Sequence, residues 1–164
     1  MTQNKDTVLI IYPASFKFAG LHIGIASLSG ALKKNGYPVK VFDTVFYDLS
    51  GQQDWDKLRS DRLMSKKIVN EEEHWKVRTT DMTDDLIKVL DECKPKIVGL
   101  SITEPVYDLS LTLSRIVKER CKDAIVVAGG VFPTLSRDIV IKENSIDIVC
   151  LGEGEIALPE LCDR

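Results

Sequence analysis

Short apolar runs alternating with stretches of helical periodicity set the frame of this chain. Val8-Leu9-Ile10-Ile11-Tyr12 and Ile125-Val126-Val127-Ala128 are apolar and rich in β-branched residues, with no polar alternation. That pattern marks strands covered on both faces of a parallel sheet. Val39 to Asp43, Ile97 to Ile102 and Ile146 to Leu151 supply three further strands. Pro13 stops the first strand by removing a backbone donor, and Gly129-Gly130 and Gly152-Glu153-Gly154-Glu155 end the last two. Between strands, a helix over about 21–35 places Leu21, Ile25, Leu28 and Leu32 on one stripe. Gly20, Gly24 and Gly30 would let that helix approach the sheet closely, and Gly36 punctuates its end. A second helix resumes at Thr83, with Asp84 and Asp85 in its first turn and Leu86, Val89, Leu90 and Cys93 facing inward. Val106 to Arg120 is amphipathic through Leu109, Leu113, Ile116 and Val117. Pro133-Thr134 opens a helical segment with Thr134 as its N-cap, and a short helix closes the chain. This alternation predicts an α/β fold: a flavodoxin-like (Rossmann-like), doubly wound, five-stranded parallel sheet of order 2-1-3-4-5.

At 164 residues the chain reads as a single domain, 1–164, with an insertion at about 45–82. There Gln, Asp, Lys and Glu dominate, Trp55 and Trp75 stand isolated, and at least one helix is expected around Trp55 to Val69, in poor register. Apolar residues make up 44% and the formal charge is -3, a balance without the basic patch that nucleic acid attracts. The first residues lack the apolar core of a signal peptide, and no run approaches the roughly 18 residues of a membrane span, so the expected location is the cytoplasm. Cys93, Cys121, Cys150 and Cys162 are too widely spaced for a CxxC pair or for the CxxxCxxC spacing of an iron–sulfur cluster, so no metal-ligating set is assigned. They read as small hydrophobes, Cys150 in a buried strand and Cys93 and Cys121 closing helices.

In an open parallel sheet the strand C-terminal ends form the ligand crevice, where glycine lets a bulky ligand approach the backbone. A strand ending in Gly129-Gly130-x-x-Pro133-Thr134, then a helix, then Asp147-x-Val149-x-x-Gly152-Glu153-Gly154-Glu155, resembles the N-terminal cobalamin (B12)-binding domain of the cobalamin-dependent radical SAM enzymes. Pro13, the Gly20-Leu21 helix start, the Asn35-Gly36-Tyr37 exit and strand Val39 to Asp43 are similar to that family's first βαβ unit. Pro95 to Thr103 resembles its third strand. The resemblance implies cobalamin binding along Pro13, Lys17, Gly20 and Leu21 of the first loop and helix start. It places Ser101, Thr103, Gly129, Gly130 and Val131 beside the buried nucleotide tail, and Gly152 and Glu153 against the corrin's side-chain amides. It also implies excision from a longer chain, with a C-terminal radical SAM domain in cis holding a 4Fe-4S cluster and S-adenosylmethionine. The complete protein would be a methyltransferase or another radical-dependent enzyme.

Cobalamin domains that ligate cobalt through histidine carry Asp-x-His-x-x-Gly after the first strand, and this chain has no such string. Its histidines are His22 and His74, so binding is expected to be His-off, with Ser15-Phe16-Lys17-Phe18 facing the ring and His22 serving as a helix-start residue. Where the subfamily often has His in Gly-Gly-x-His-Pro-Thr, this chain has Phe132, which neither donates nor ligates. No catalytic residue is assigned, since no Ser-His-Asp set or P-loop occurs. Two other readings stay open: a flavodoxin-like scaffold or docking domain that has lost its cofactor, and a flavin or nucleotide site. The second is disfavoured by the absence of a Ser/Thr/Gly-rich phosphate cradle. The same rim, at Phe16, Phe18, Val131 and Phe132, is expected to be an exposed apolar patch.

Overall fold

The computed structural model describes residues 5–14, 22–47 and 78–164. Its strands are β1 (Val8–Tyr12), β2 (Val39–Asp43), β3 (Ile97–Ser101), β4 (Ile125–Gly129) and β5 (Ile148–Val149). All pair in parallel in the order β2-β1-β3-β4-β5, as the alternation predicts. The helices are α1 (Ile23–Lys34), α2 (Met82–Cys93), α3 (Tyr107–Arg120), α4 (Val131–Leu135), α5 (Arg137–Val140) and α6 (Gly154–Cys162).

Strand alternation divides the interior. Leu9, Ile11, Val98, Leu100, Val126 and Ala128 face α2 and α3, where Leu86, Leu90, Leu109, Leu113 and Val117 complete the larger core. Val8, Ile10 and Val127 face the other way, toward Leu32 of α1 and Leu158 of α6. Helix α2 starts one residue before Thr83, because Asp81 accepts from the amides of Thr83 (2.8 Å) and Asp84 (3.0 Å) as N-cap. Arg120 clamps Asp91 from α3 with both guanidinium branches, Nη2 to Oδ2 at 2.7 Å.

Several local expectations change. β5 is two residues long, since Asp147 substitutes for a longer ladder: its carboxylate accepts the Val126 amide (2.7 Å) and pairs with Lys118 (2.6 Å). Thr134 is not an N-cap. The chain turns at Gly130 with φ 100° and α4 begins at once, leaving Thr134 inside it. Gly24 and Gly30 do not bring α1 onto the sheet, for a Cβ at either would meet nothing within 4 Å. The close approaches fall instead at Gly99, where a Cβ would lie 3.6 Å from Leu158, and at Gly154, where one would lie 3.4 Å from Leu28. The insertion lies mostly outside the described residues, but its flanks meet: Tyr47 pairs with Arg78 in a parallel bridge, and Thr44, Val45 and Tyr47 are buried. Trp55 and Trp75, and the helix expected around Trp55 to Val69, lie outside the described residues.

At the opposite edge of the sheet from the crevice, Asp163 ties the two ends of the described chain. Lys5 Nζ pairs with it at 2.8 Å, Tyr37 donates its hydroxyl at 2.6 Å, and Lys5 lies 3.9 Å over the Tyr37 ring. The Lys5 hydrogen bond first, then that from Tyr37, holds the Asp163 carboxyl below the usual carboxylate range. A depressed folded pKa adds stability that is complete above about pH 4 and lost as pH falls through the lowered value. Asp163→Asn should therefore lower the urea midpoint at neutral pH, and the gap from wild type should close on acidification below about pH 4. A gap that persists at low pH would assign the tie to packing rather than charge.

Candidate cofactor crevice

The C-terminal ends of β1, β3 and β4 open into a crevice between α1 and α6, on the sheet face that carries the smaller core. Its floor is apolar, formed by Ile10, Leu28, Val127 and Leu158. Much of its wall is backbone, because Gly24, Gly99, Gly129, Gly130, Gly152 and Gly154 all line it beside Ser101, Cys150, Glu153 and Glu155. The cavity measures about 140 Å³. That is below the roughly 300–1,000 Å³ of a site that engulfs a small molecule, so it can take an appendage of a ligand whose bulk lies at the rim.

Of the residues expected from sequence, Ser101, Gly129, Gly130, Gly152 and Glu153 come together in this crevice. Pro13 is buried just beyond β1, where Thr44 accepts the Ala14 amide and donates to the Ala14 carbonyl, both at 2.8 Å. Thr103 is exposed at the start of a short 3-10 turn and makes no side-chain cap bond. Val131 is exposed on the first turn of α4. Lys17, Gly20 and Leu21, with Phe16 and Phe18, lie outside the described residues. Sequence reasoning missed Gly99, Glu155 and Leu158. Gly99 carried a signal, being a glycine inside an apolar strand, which marks close approach of another group.

Two glycines in the walls hold positive φ, and one of them is also sterically required. A Cβ on Gly130 would lie 2.9 Å from the Ile102 carbonyl oxygen and 3.0 Å from its nitrogen, and its φ of 100° excludes side chains as well. Gly152, at φ 76°, has open space around it. Cys150, half-buried on the wall, has its thiol pKa pushed up by burial and then by the Glu155 carboxylate, so it stays protonated near neutrality. His22 is the N-cap residue of α1, as expected of a helix-start residue, with its ring centroid 3.7 Å from that of Tyr12. Phe132 departs from the exposed patch expected of it, being half-buried with its ring centroid 4.8 Å from that of Tyr107, on the larger core.

In a flavodoxin-like sheet, a crevice at the C-terminal ends of the strands is where ligands bind. A family profile described as B12 binding domain matches residues 66–162, more than half of the chain. The chain belongs to the B12-binding domain family, whose cofactor is cobalamin. It is 33% identical over 85 residues to an uncharacterized methyltransferase of Pyrococcus horikoshii, a match covering 51% of this chain and 18% of that protein. It is 36% identical over 66 residues to the anaerobic magnesium-protoporphyrin IX monomethyl ester cyclase of Synechocystis, covering 40% of this chain and 13% of that protein. Among solved structures, the cobalamin-dependent S-adenosylmethionine radical enzyme OxsB, with aqua-cobalamin bound, matches 97% of this chain and 18% of its own at TM-score 0.67 and 18% identity. The radical S-adenosylmethionine methyltransferase TsrM of Kitasatospora setae, with tryptophan substrate and a SAM analog bound, matches 97% of this chain and 25% of its own at TM-score 0.70 and 19% identity. The chain thus spans less than a fifth of these curated relatives. Among the described residues no helix is long and apolar enough to cross a membrane.

The residues present fit the cofactor: six glycines keep the walls open to a tail, and the floor is apolar. Gly130→Ala should cost about 1–3 kcal/mol in urea denaturation, from its φ and the Ile102 contact. Gly129→Ala, whose Cβ would meet Cys150 at an ordinary 3.7 Å, should cost clearly less. Equal losses at the two positions would show that the Ile102 approach does not set the turn.

Proposed function

We propose that this chain binds cobalamin in the crevice, without a histidine ligand from the chain, as the cofactor module of a radical SAM enzyme. The observation that carries this is the glycine-walled, apolar-floored gap between α1 and α6, too small for a whole ligand and open toward the rim. Ser101, Gly129 and Gly130 would flank the nucleotide tail, and Gly152 and Glu153 would border the corrin's side-chain amides. Cobalamin supplies a cobalt centre suited to methyl transfer or radical chemistry. The chain's own part is to bind that cofactor and orient it, with its bulk left facing outward. Ile23, Val131, Leu135 and Ile156, each at least 64% exposed on helices at this edge, suit cover by a catalytic domain following in cis, which would hold a 4Fe-4S cluster and S-adenosylmethionine. Support for that setting comes from the names of the relatives, two of which are methyltransferases.

The His-off reading draws support from His22. Its ring lies against Tyr12, with ring centroids 3.7 Å apart, and not in the wall of the crevice. His74 lies outside the described residues.

Titrating the chain with hydroxocobalamin and reading the visible spectrum tests the proposal. Saturable binding is expected, and a flat titration would favour the scaffold reading. His22→Ala and His74→Ala should each leave the bound spectrum unchanged, and a shift with either would place histidine on cobalt. Gly24→Leu should weaken binding at least tenfold while keeping the thermal midpoint at or above wild type, because leucine suits a helix and here would project into open crevice. Unaltered affinity in that variant would move the tail out of the α1–α6 gap.

A further inference from the structure

The two turns that border the crevice, after β4 and after β5, are joined by one side chain. Thr134 donates its hydroxyl to the Gly130 carbonyl at 2.8 Å and accepts the Gly152 amide at 3.1 Å. The sheet itself does not reach this far. β5 ends at Val149, and the last backbone bond from that segment to β4 runs from the Cys150 amide to the Ala128 carbonyl at 2.8 Å. Beyond it the chain turns at Gly152, exposed, with φ 76° and with nothing within 4 Å of where a Cβ would be. Packing at Gly152 itself therefore does not place this turn. Gly130, by contrast, is fixed by its close approach to Ile102. A hydroxyl bonded to both transfers the rigid position of one turn to the other.

We propose that Thr134 is a positioning residue that sets the distance between the Gly129-Gly130 and Gly152-Glu153 walls, and through it the affinity for cobalamin. This rests on the proposed function, since the effect is read through the cofactor that the crevice holds. The two hydrogen bonds are exposed, and removing them orphans no buried group. The Gly130 carbonyl still accepts the Thr134 amide at 3.3 Å, and the freed Gly152 amide meets water. The consequence falls on the geometry of the crevice rather than on the stability of the fold.

The test compares Thr134→Val, which keeps the branched shape and removes the hydroxyl, with Thr134→Ser, which keeps the hydroxyl. In the 164-residue chain, Thr134→Val should weaken hydroxocobalamin binding about fivefold or more, with the cofactor-free thermal midpoint unchanged. Thr134→Ser should restore binding to within about twofold of wild type. Amide hydrogen exchange gives a readout free of cofactor: the Gly152 amide should exchange faster in Thr134→Val than in wild type or Thr134→Ser. Wild-type affinity in Thr134→Val, a Thr134→Ser variant as weak as valine, or a binding loss matched by a falling thermal midpoint would each overturn the role of the hydroxyl. Unchanged Gly152 exchange in Thr134→Val would overturn it as well. A wild-type chain that binds no hydroxocobalamin overturns the proposed function instead, and the Gly152 exchange then decides the Thr134 contact by itself.

Discussion

The crevice depends on how closely the backbone at Gly130 passes Ile102. The Ile102 amide donates to the Gly129 carbonyl at 2.8 Å, and the Phe132 amide donates to the Ile102 carbonyl at 3.1 Å. This pair carries the β3–β4 ladder one step past the strands while the chain turns into α4. It is possible only where no Cβ stands between, since one on Gly130 would sit 2.9 Å from a carbonyl oxygen. Three placements follow from the turn. The Gly129-Gly130 wall stays backbone, Phe132 swings inward onto Tyr107, and Thr134 comes within reach of Gly152. Phe132 thereby serves the core, where a polar side chain would need a partner among buried apolar groups.

The two faces of the sheet divide the work. Among the described residues, seventeen buried hydrophobic side chains form the cluster under α2 and α3, against six under α1 and α6. A parallel sheet is ordinarily covered on both faces, so among the described residues the thin side is where burial is less. The missing side chains map onto the crevice: Gly99 stands in β3 where the neighbouring strands have Ile10 and Val127. Cohesion is concentrated on one face, which lets the other keep a gap that a cofactor tail would fill. Ligand binding to such a gap adds stability by linkage, in proportion to the logarithm of ligand concentration over its dissociation constant.

Much of this was legible in the chain, because apolar runs with the period of buried strands and stripes with the period of helices were unambiguous in β1, β3, β4, α2 and α3. Ser101 and the glycines after β4 and β5 were likewise readable, since strand ends in this topology converge on one edge. What could not be read were features set by tertiary contact. Asp147 shortens β5 by offering a carboxylate to a neighbouring strand's amide, and nothing in its local context separates that from an ordinary turn aspartate. Gly24 and Gly30 looked like packing glycines, yet the close contacts belong to Gly99 and Gly154, because α1 meets α6 as well as the sheet. Thr134 had the position of a cap, but Gly130 already starts the helix, which frees the hydroxyl for Gly152.

The charge of the crevice separates cobalamin from the other ligands this fold can carry. Among its described lining residues the ionisable groups are Glu153, Glu155 and the Cys150 thiol, which burial keeps protonated. A flavin mononucleotide or free nucleotide would bring a phosphate monoester of about -1.5 to -2 charge, and folds that bind one answer it with backbone amides and cations. Two carboxylates at the mouth oppose such a group. Cobalamin carries its phosphate as a diester of single charge, on a molecule whose cobalt is cationic and whose periphery is mostly neutral amides. Those amides can donate hydrogen bonds to carboxylates, and hydrogen bonds to a charged group are among the stronger ones available at a half-exposed rim. Among the described lining residues, then, the two glutamates suit an amide-fringed ring better than a phosphate monoester, which favours a corrinoid over a flavin on this side of the crevice.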